Sequence, residues 1–113
     1  MKSALSLLES IPGELNELSY QLDGGRMAAD TARALISVMY TDVSNADAGL
    51  KAAARGTGDR FCLALCDLTD GLRIALEHMC APDGPDGLML SSEMKNAAMR
   101  ARLGVMDMME ILR

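Results

Sequence analysis

The chain of 113 residues has no Trp, one Phe, two Tyr, one His, three Pro and three Cys. Each shortage excludes something. With so few aromatic side chains, a core has to be filled by aliphatic residues and by the ten Met, whose flexible thioethers fit irregular gaps. The lone His78 leaves a Ser-His-Asp or Cys-His nucleophilic centre only one candidate base, next to Met79. It also rules out a di-iron bundle site, which needs two Glu-x-x-His pairs. HExxH, P-loop and GxGxxG patterns are missing as well. Without a recognisable cluster of acid, base and nucleophile, the sequence predicts a non-catalytic protein with no cofactor.

Three cysteines cannot close a disulfide framework, and free thiols fit a reducing, cytoplasmic compartment. Long hydrophobic runs are lacking too. The most apolar stretch, Phe61 to Cys80, is interrupted by Asp67, Asp70, Arg73 and Glu77, so no membrane span is expected. The segment Met1 to Glu9 has too short an apolar run for a signal peptide, and no small-residue cleavage site follows it. Low complexity, internal repeats and linkers are absent, and residues 1–113 read as a single domain long enough to bury its own core. Basic residues are outnumbered, eleven Lys and Arg against sixteen Asp and Glu, for a net charge of -5. That field disfavours nucleic acid and anionic membranes and suits a basic protein partner.

What is present is helical periodicity. Leu8, Ile11, Leu15, Leu18 and Leu22 share one face, interrupted by Pro12, so the first helix is either short or bent there. Asp23-Gly24-Gly25 ends it. A second helix is expected from about Met27 to Arg55. Its stripe is Ala28, Ala32, Leu35, Met39, Val43, Ala46, Leu50 and Ala53, with Ile36 and Tyr40 on a flank. Gly56-Thr57-Gly58 stops it, and Thr57 or Asp59 caps a third helix whose stripe is Phe61, Leu65, Leu68, Leu72, Leu76 and Met79. On the opposite side Asp67, Asp70, Arg73 and Glu77 form a solvated ladder of ion pairs. Two Pro-Asp-Gly turns at residues 82–87 make a loop. A fourth helix then begins near Ser91 or Ser92, with the seam Met94, Ala98, Ala101, Val105, Met108 and Leu112. Four helices with short connections predict an all-α, antiparallel up-down bundle, and the surplus apolar surface predicts a homodimer.

Two constellations bear on function. Cys62, Cys66, His78 and Cys80 are soft-metal ligand types, but His78 lies twelve residues beyond Cys66, roughly 18 Å along an unbroken helix. One chain closes that site only if the helix breaks near Gly71; otherwise an antiparallel partner must bring the ends together. Buried, inert thiols are the commoner state, so no metal site is assigned. His78 itself is expected to meet the last carbonyls of its helix.

The second constellation is on the fourth helix. Met99, Leu103 and Met106 form an apolar patch well away from the main seam, with Lys95, Arg102 and Arg113 between the two. Either flanking helices cover it or another chain does. A Met-lined patch with a basic border suits an acidic amphipathic helix or a second copy of the chain. The leading expectation is therefore an adaptor, regulator or inhibitor that binds protein through Lys95, Met99, Arg102, Leu103 and Met106. The alternatives are a soft-metal site shared in a dimer and an acidic mimic of nucleic acid.

Overall fold

The computed structural model describes residues 4–81, 83–85 and 87–111. Among these the secondary structure is wholly helical, with α1 at Ala4–Asp23, α2 at Ala29–Thr57, α3 at Arg60–Cys80 and α4 at Gly87–Ile111. Leu112 and Arg113, named above, lie outside the described residues, as do Pro82 and Asp86 of the loop.

The helix ends follow the local chemistry. After α1 the Gly24 N–H donates to Tyr20 O at 3.0 Å and the Arg26 N–H to Gln21 O at 2.9 Å. Gly25, at φ 70°, supplies the left-handed residue that this closure requires. Gly58 does the same for α2 at φ 61°, its N–H donating to Ala54 O. Asp59, rather than Thr57, caps α3, its Oδ1 accepting from the Phe61 N–H at 2.9 Å. Pro12 does not split α1 into two helices. It removes the N–H that Leu8 O would otherwise accept. Burial holds the helix together, since Leu8, Ile11, Pro12 and Leu15 all face the core.

Contacts between helices fix their directions. Asp23 meets Lys95 while Asn16 meets Arg102, so α1 and α4 run antiparallel. Cys62 reaches Leu50, and Thr69 reaches Asp47, which sets α3 antiparallel to α2. His78 meets Glu93 across α3 and α4. Gly104 lies opposite Leu68, whose Cδ2 occupies the space a side chain there would need. The helices form an up-down bundle 46 × 26 × 22 Å, in which α1 packs mainly on α4 and α2 mainly on α3. Its long dimension matches α2, whose 29 residues span roughly 43 Å at helical rise.

One aliphatic and Met core joins all four helices. Its members depart from the expected stripes in specific places. On α2 the buried line is Ala32, Ile36, Met39, Val43 and Ala46, while Leu35 and Ala53 are exposed, as is Ala28 just before the helix. Ile36 and Leu35 thus exchange the places expected of them: both lines fit a helical period, and the packed neighbours turn the Ile36 edge inward. On α3 Leu65, Leu72, Leu76 and Met79 are buried, Cys66 and Thr69 join them, and Phe61 and Leu68 are half-buried. The α4 helix begins at Gly87, a turn earlier than Ser91 or Ser92. Leu90 and Met94, one turn apart, are both fully buried, so helix in that first turn gains a core contact. Ser91 then becomes an interior residue. Its Oγ lies 2.8 Å from Ser19 Oγ, and this pair satisfies two buried hydroxyls between α1 and α4.

Gly13 lies within α1, and a Cβ built there meets nothing within 4 Å. Gly13→Ala should therefore stabilise the fold by roughly 0.5–1 kcal/mol through helix propensity alone. The measurement is the urea midpoint at unchanged slope.

Candidate functional site

The outward face of α4 is uncovered. Met99, Leu103 and Met106 are 60%, 53% and 63% exposed, and no other helix of the bundle shields them. At 100° per residue they point away from Leu90, Met94, Ala98, Ala101 and Met108, which face the core. Leu88, eleven residues before Met99, continues the same line and is exposed too. The basic border is partly engaged within the chain. Lys95 Nζ lies 2.8 Å from Asp23 Oδ2. Asn16 accepts from the Arg102 guanidinium at 3.0 and 3.2 Å once its amide oxygen faces that group. Both ties hold α4 to α1, yet among the described residues Arg102 meets a neutral amide and no carboxylate. The five residues singled out on α4 are thus brought to one side of the molecule, with the apolar ones outermost.

A second apolar surface was not legible in the sequence. An open groove of about 710 Å3 runs between α1 and α2, lined by Leu18, Leu35, Val38 and Met39 with Ser10, Gly13, Glu14, Glu17 and Asp42. Val38 is 61% exposed and Leu35 41%. Small and polar residues on the α1 side, Ser10 and Gly13, leave the space between the helices unfilled. The α1 helix has no basic residue, so the carboxylates along the groove have no cation from that side. Among the described residues Glu17 accepts from the neutral Gln21 amide, at 2.9 Å, and pairs with no cation. Asp42 is exposed on this rim.

Asp47 is the charged side chain that sequence reasoning missed. It is buried at the α2/α3 interface, where its Oδ1 accepts from Thr69 Oγ1 at 2.8 Å. Its Oδ2 lies 2.9 Å from Lys51 Nζ and 3.9 Å from Arg73 Nε. Arg73 also pairs with Asp70 at 2.7 Å and with Glu77 at 3.7 Å, so the expected ladder on α3 forms at these three residues and extends across to α2, while Asp67 joins no ion pair among the described residues. Lys51 lies one turn beyond Asp47, and that spacing was the available signal. The Asp47 hydrogen bond holds the Lys51 ammonium above its ordinary pKa. Asp70 is held below the carboxylate range, chiefly by the Arg73 hydrogen bond. Asp23 is lowered likewise, first by Lys95 and then by Ser91. A carboxylate locked between two cations and a hydroxyl is a fastening between helices, not a free base.

The soft-metal residues are not gathered. The α3 helix runs unbroken from Arg60 to Cys80 through Gly71, so it keeps His78 far from Cys62 and Cys66. Among the described residues no three His, Cys, Asp or Glu side chains converge as ion ligands. Burial, then Cys62, pushes the Cys66 thiol up, which makes it a poor nucleophile. His78 does not turn to the end of its own helix; its Nε2 lies 3.2 Å from Glu93 Oε1 on α4, where a carboxylate is the better partner. No described helix is long and apolar enough to cross a membrane.

Removing Asp47 as Asp47→Ala should cost roughly 1–2 kcal/mol, since an inter-helix acceptor is lost while Thr69 keeps Cys66 O and both cations keep Asp70; a urea or thermal unfolding series measures it. For Asp23 and Asp70 the sign follows from their lowered values in the folded state. At low pH the unfolded chain binds more protons, so their contribution is full above the ordinary carboxylate pKa and disappears as pH falls through the folded one. Both are at the surface, and the loss is small. Stability against pH should fall less steeply below about pH 4 in a variant with Asp23→Asn and Asp70→Asn than in the native chain. No protein-family model matches the chain, and no curated protein or solved structure matches it.

Proposed function

We propose that the chain is a non-catalytic helical interaction protein that docks protein through the outward face of α4, either a second copy or another chain. One observation carries this reading. Met99, Leu103 and Met106 stand exposed in a line on the side of α4 opposite the core, with Leu88 extending the line. Their position gives no stability to the bundle, and contiguous exposed apolar surface of this kind is favourable to cover. Flexible Met side chains let such a surface fit a partner closely. Lys95, Arg100 and Arg102 supply a basic border that would select acidic over basic partners.

The alternatives have less to support them. A soft-metal site needs Cys62, Cys66, His78 and Cys80 to be assembled between chains, because the continuous α3 helix separates them within one. Mimicry of nucleic acid rests on net charge alone, and Lys95, Arg100 and Arg102 interrupt that field on α4.

The test is association of the native chain and of the double variant Met99→Asp, Met106→Asp. It is read as self-association by light scattering with reducing agent present, and as capture of binding proteins with the variant as control. Loss of two apolar anchors should weaken binding at least about tenfold while circular dichroism stays unchanged. Equal association by both chains in both readings overturns the proposal.

A further inference from the structure

We infer that the outward face of α4 of one copy seats in the α1/α2 groove of a second copy. The inference rests on the reading of α4 as an interface and assigns the surface that receives it. Three matches carry it. The first is apolar: Met99, Leu103 and Met106 form a ridge, and Leu18, Leu35, Val38 and Met39 line a groove that the bundle itself leaves open. The second is length. The ridge from Met99 to Met106 spans roughly 10 Å, and the α1 wall of the groove from Ser10 to Leu18 roughly 12 Å, about two helical turns in each case.

The third is charge. Glu14, Glu17 and Asp42 edge the groove, and no ion pair among the described residues neutralises them. Arg100 and Arg102 border the N-terminal half of the ridge, with Lys95 beside them already paired to Asp23, and Asp107 and Glu110 lie toward its C-terminal end; among the described residues Arg102 is bonded to a neutral amide and to no carboxylate. Ridge into groove brings opposite charges together. Pairing two α4 faces would instead cover the ridges alone and leave the groove and its carboxylates open. The ridge and the groove are different surfaces of the molecule, so the contact is heterologous. Each copy can give its ridge to one neighbour and its groove to another.

Heterologous contact permits a complementation experiment. The ridge variant carries Met99→Asp and Met106→Asp; the groove variant carries Leu35→Asp and Val38→Asp. All four replaced side chains are exposed, so helicity is expected to stay native. Sedimentation velocity on each variant alone should show monomer at concentrations where the native chain associates, with dissociation constants raised at least about tenfold. An equimolar mixture of the two should restore a one-to-one heterodimer, since one intact ridge and one intact groove remain. A second groove variant, Glu14→Lys with Asp42→Lys, should weaken native association without adding charge to the apolar floor. The effect of raised salt on the native chain should have the same sign.

A groove variant that associates like the native chain, while the ridge variant does not, overturns this inference and leaves α4 as an interface for another surface. A mixture that stays monomeric overturns it also. A native chain monomeric at every concentration overturns it and passes α4 to a different protein. A ridge variant that associates like the native chain overturns the assignment of α4 itself.

Discussion

The bundle depends on the closure of its first helix against its last. Leu8, Ile11 and Leu15 from α1 enter the same core as Leu90 and Met94 from α4, and all five are essentially inaccessible. Each buried aliphatic side chain contributes roughly 1.5–3 kcal/mol, so this face outweighs the hydrogen bond that Pro12 forfeits. The Ser19–Ser91 pair sits inside that closure and leaves no unsatisfied hydroxyl there. At its edge Lys95 and Arg102 reach across to Asp23 and Asn16. The α4 helix is thereby oriented, and its remaining side faces outward.

On the other half of the bundle the fastening is polar. Asp47 is buried between α2 and α3, where Thr69, Lys51 and Arg73 all address it. Such a cluster adds little net stability compared with hydrophobic residues of equal volume, but it tolerates only a register in which every partner is in reach. The α1/α2 contact has no comparable fastening and is smaller than the contacts α1 and α2 make with α4 and α3. The groove is the result of that asymmetry. A bundle closed tightly along two seams leaves a third one open, with Leu35 and Val38 on its far wall.

The two exposed apolar surfaces are thus by-products of different causes. The α4 ridge exists because the helix carries apolar residues around more of its circumference than one core face can bury. The groove exists because Ser10 and Gly13 on α1 are too small to meet α2. The groove faces solvent beside the carboxylates Glu14 and Glu17, and the ridge beside Arg100 and Arg102, with Asp107 and Glu110 toward its C-terminal end. The absence of Trp and the scarcity of other aromatics suit this arrangement, since Met and aliphatic side chains can repack against a second surface at modest cost.

Much of this was legible in the residues themselves. Helix number, the stops at Gly25 and Gly58, the Asp59 cap and the separation of Met99, Leu103 and Met106 from the seam all depend on local conformation and on a 3.6-residue period, which sequence spacing carries directly. Tertiary packing decided the rest. Ile36 rather than Leu35 is buried because the neighbouring helices select which edge of a broad apolar face turns inward. The early start of α4 depends on room for Leu90 in the core, and the role of Asp47 on a threonine 22 residues away. Periodicity places a side chain on its own helix, but only the packed neighbours determine whether that side is filled, fastened or left open.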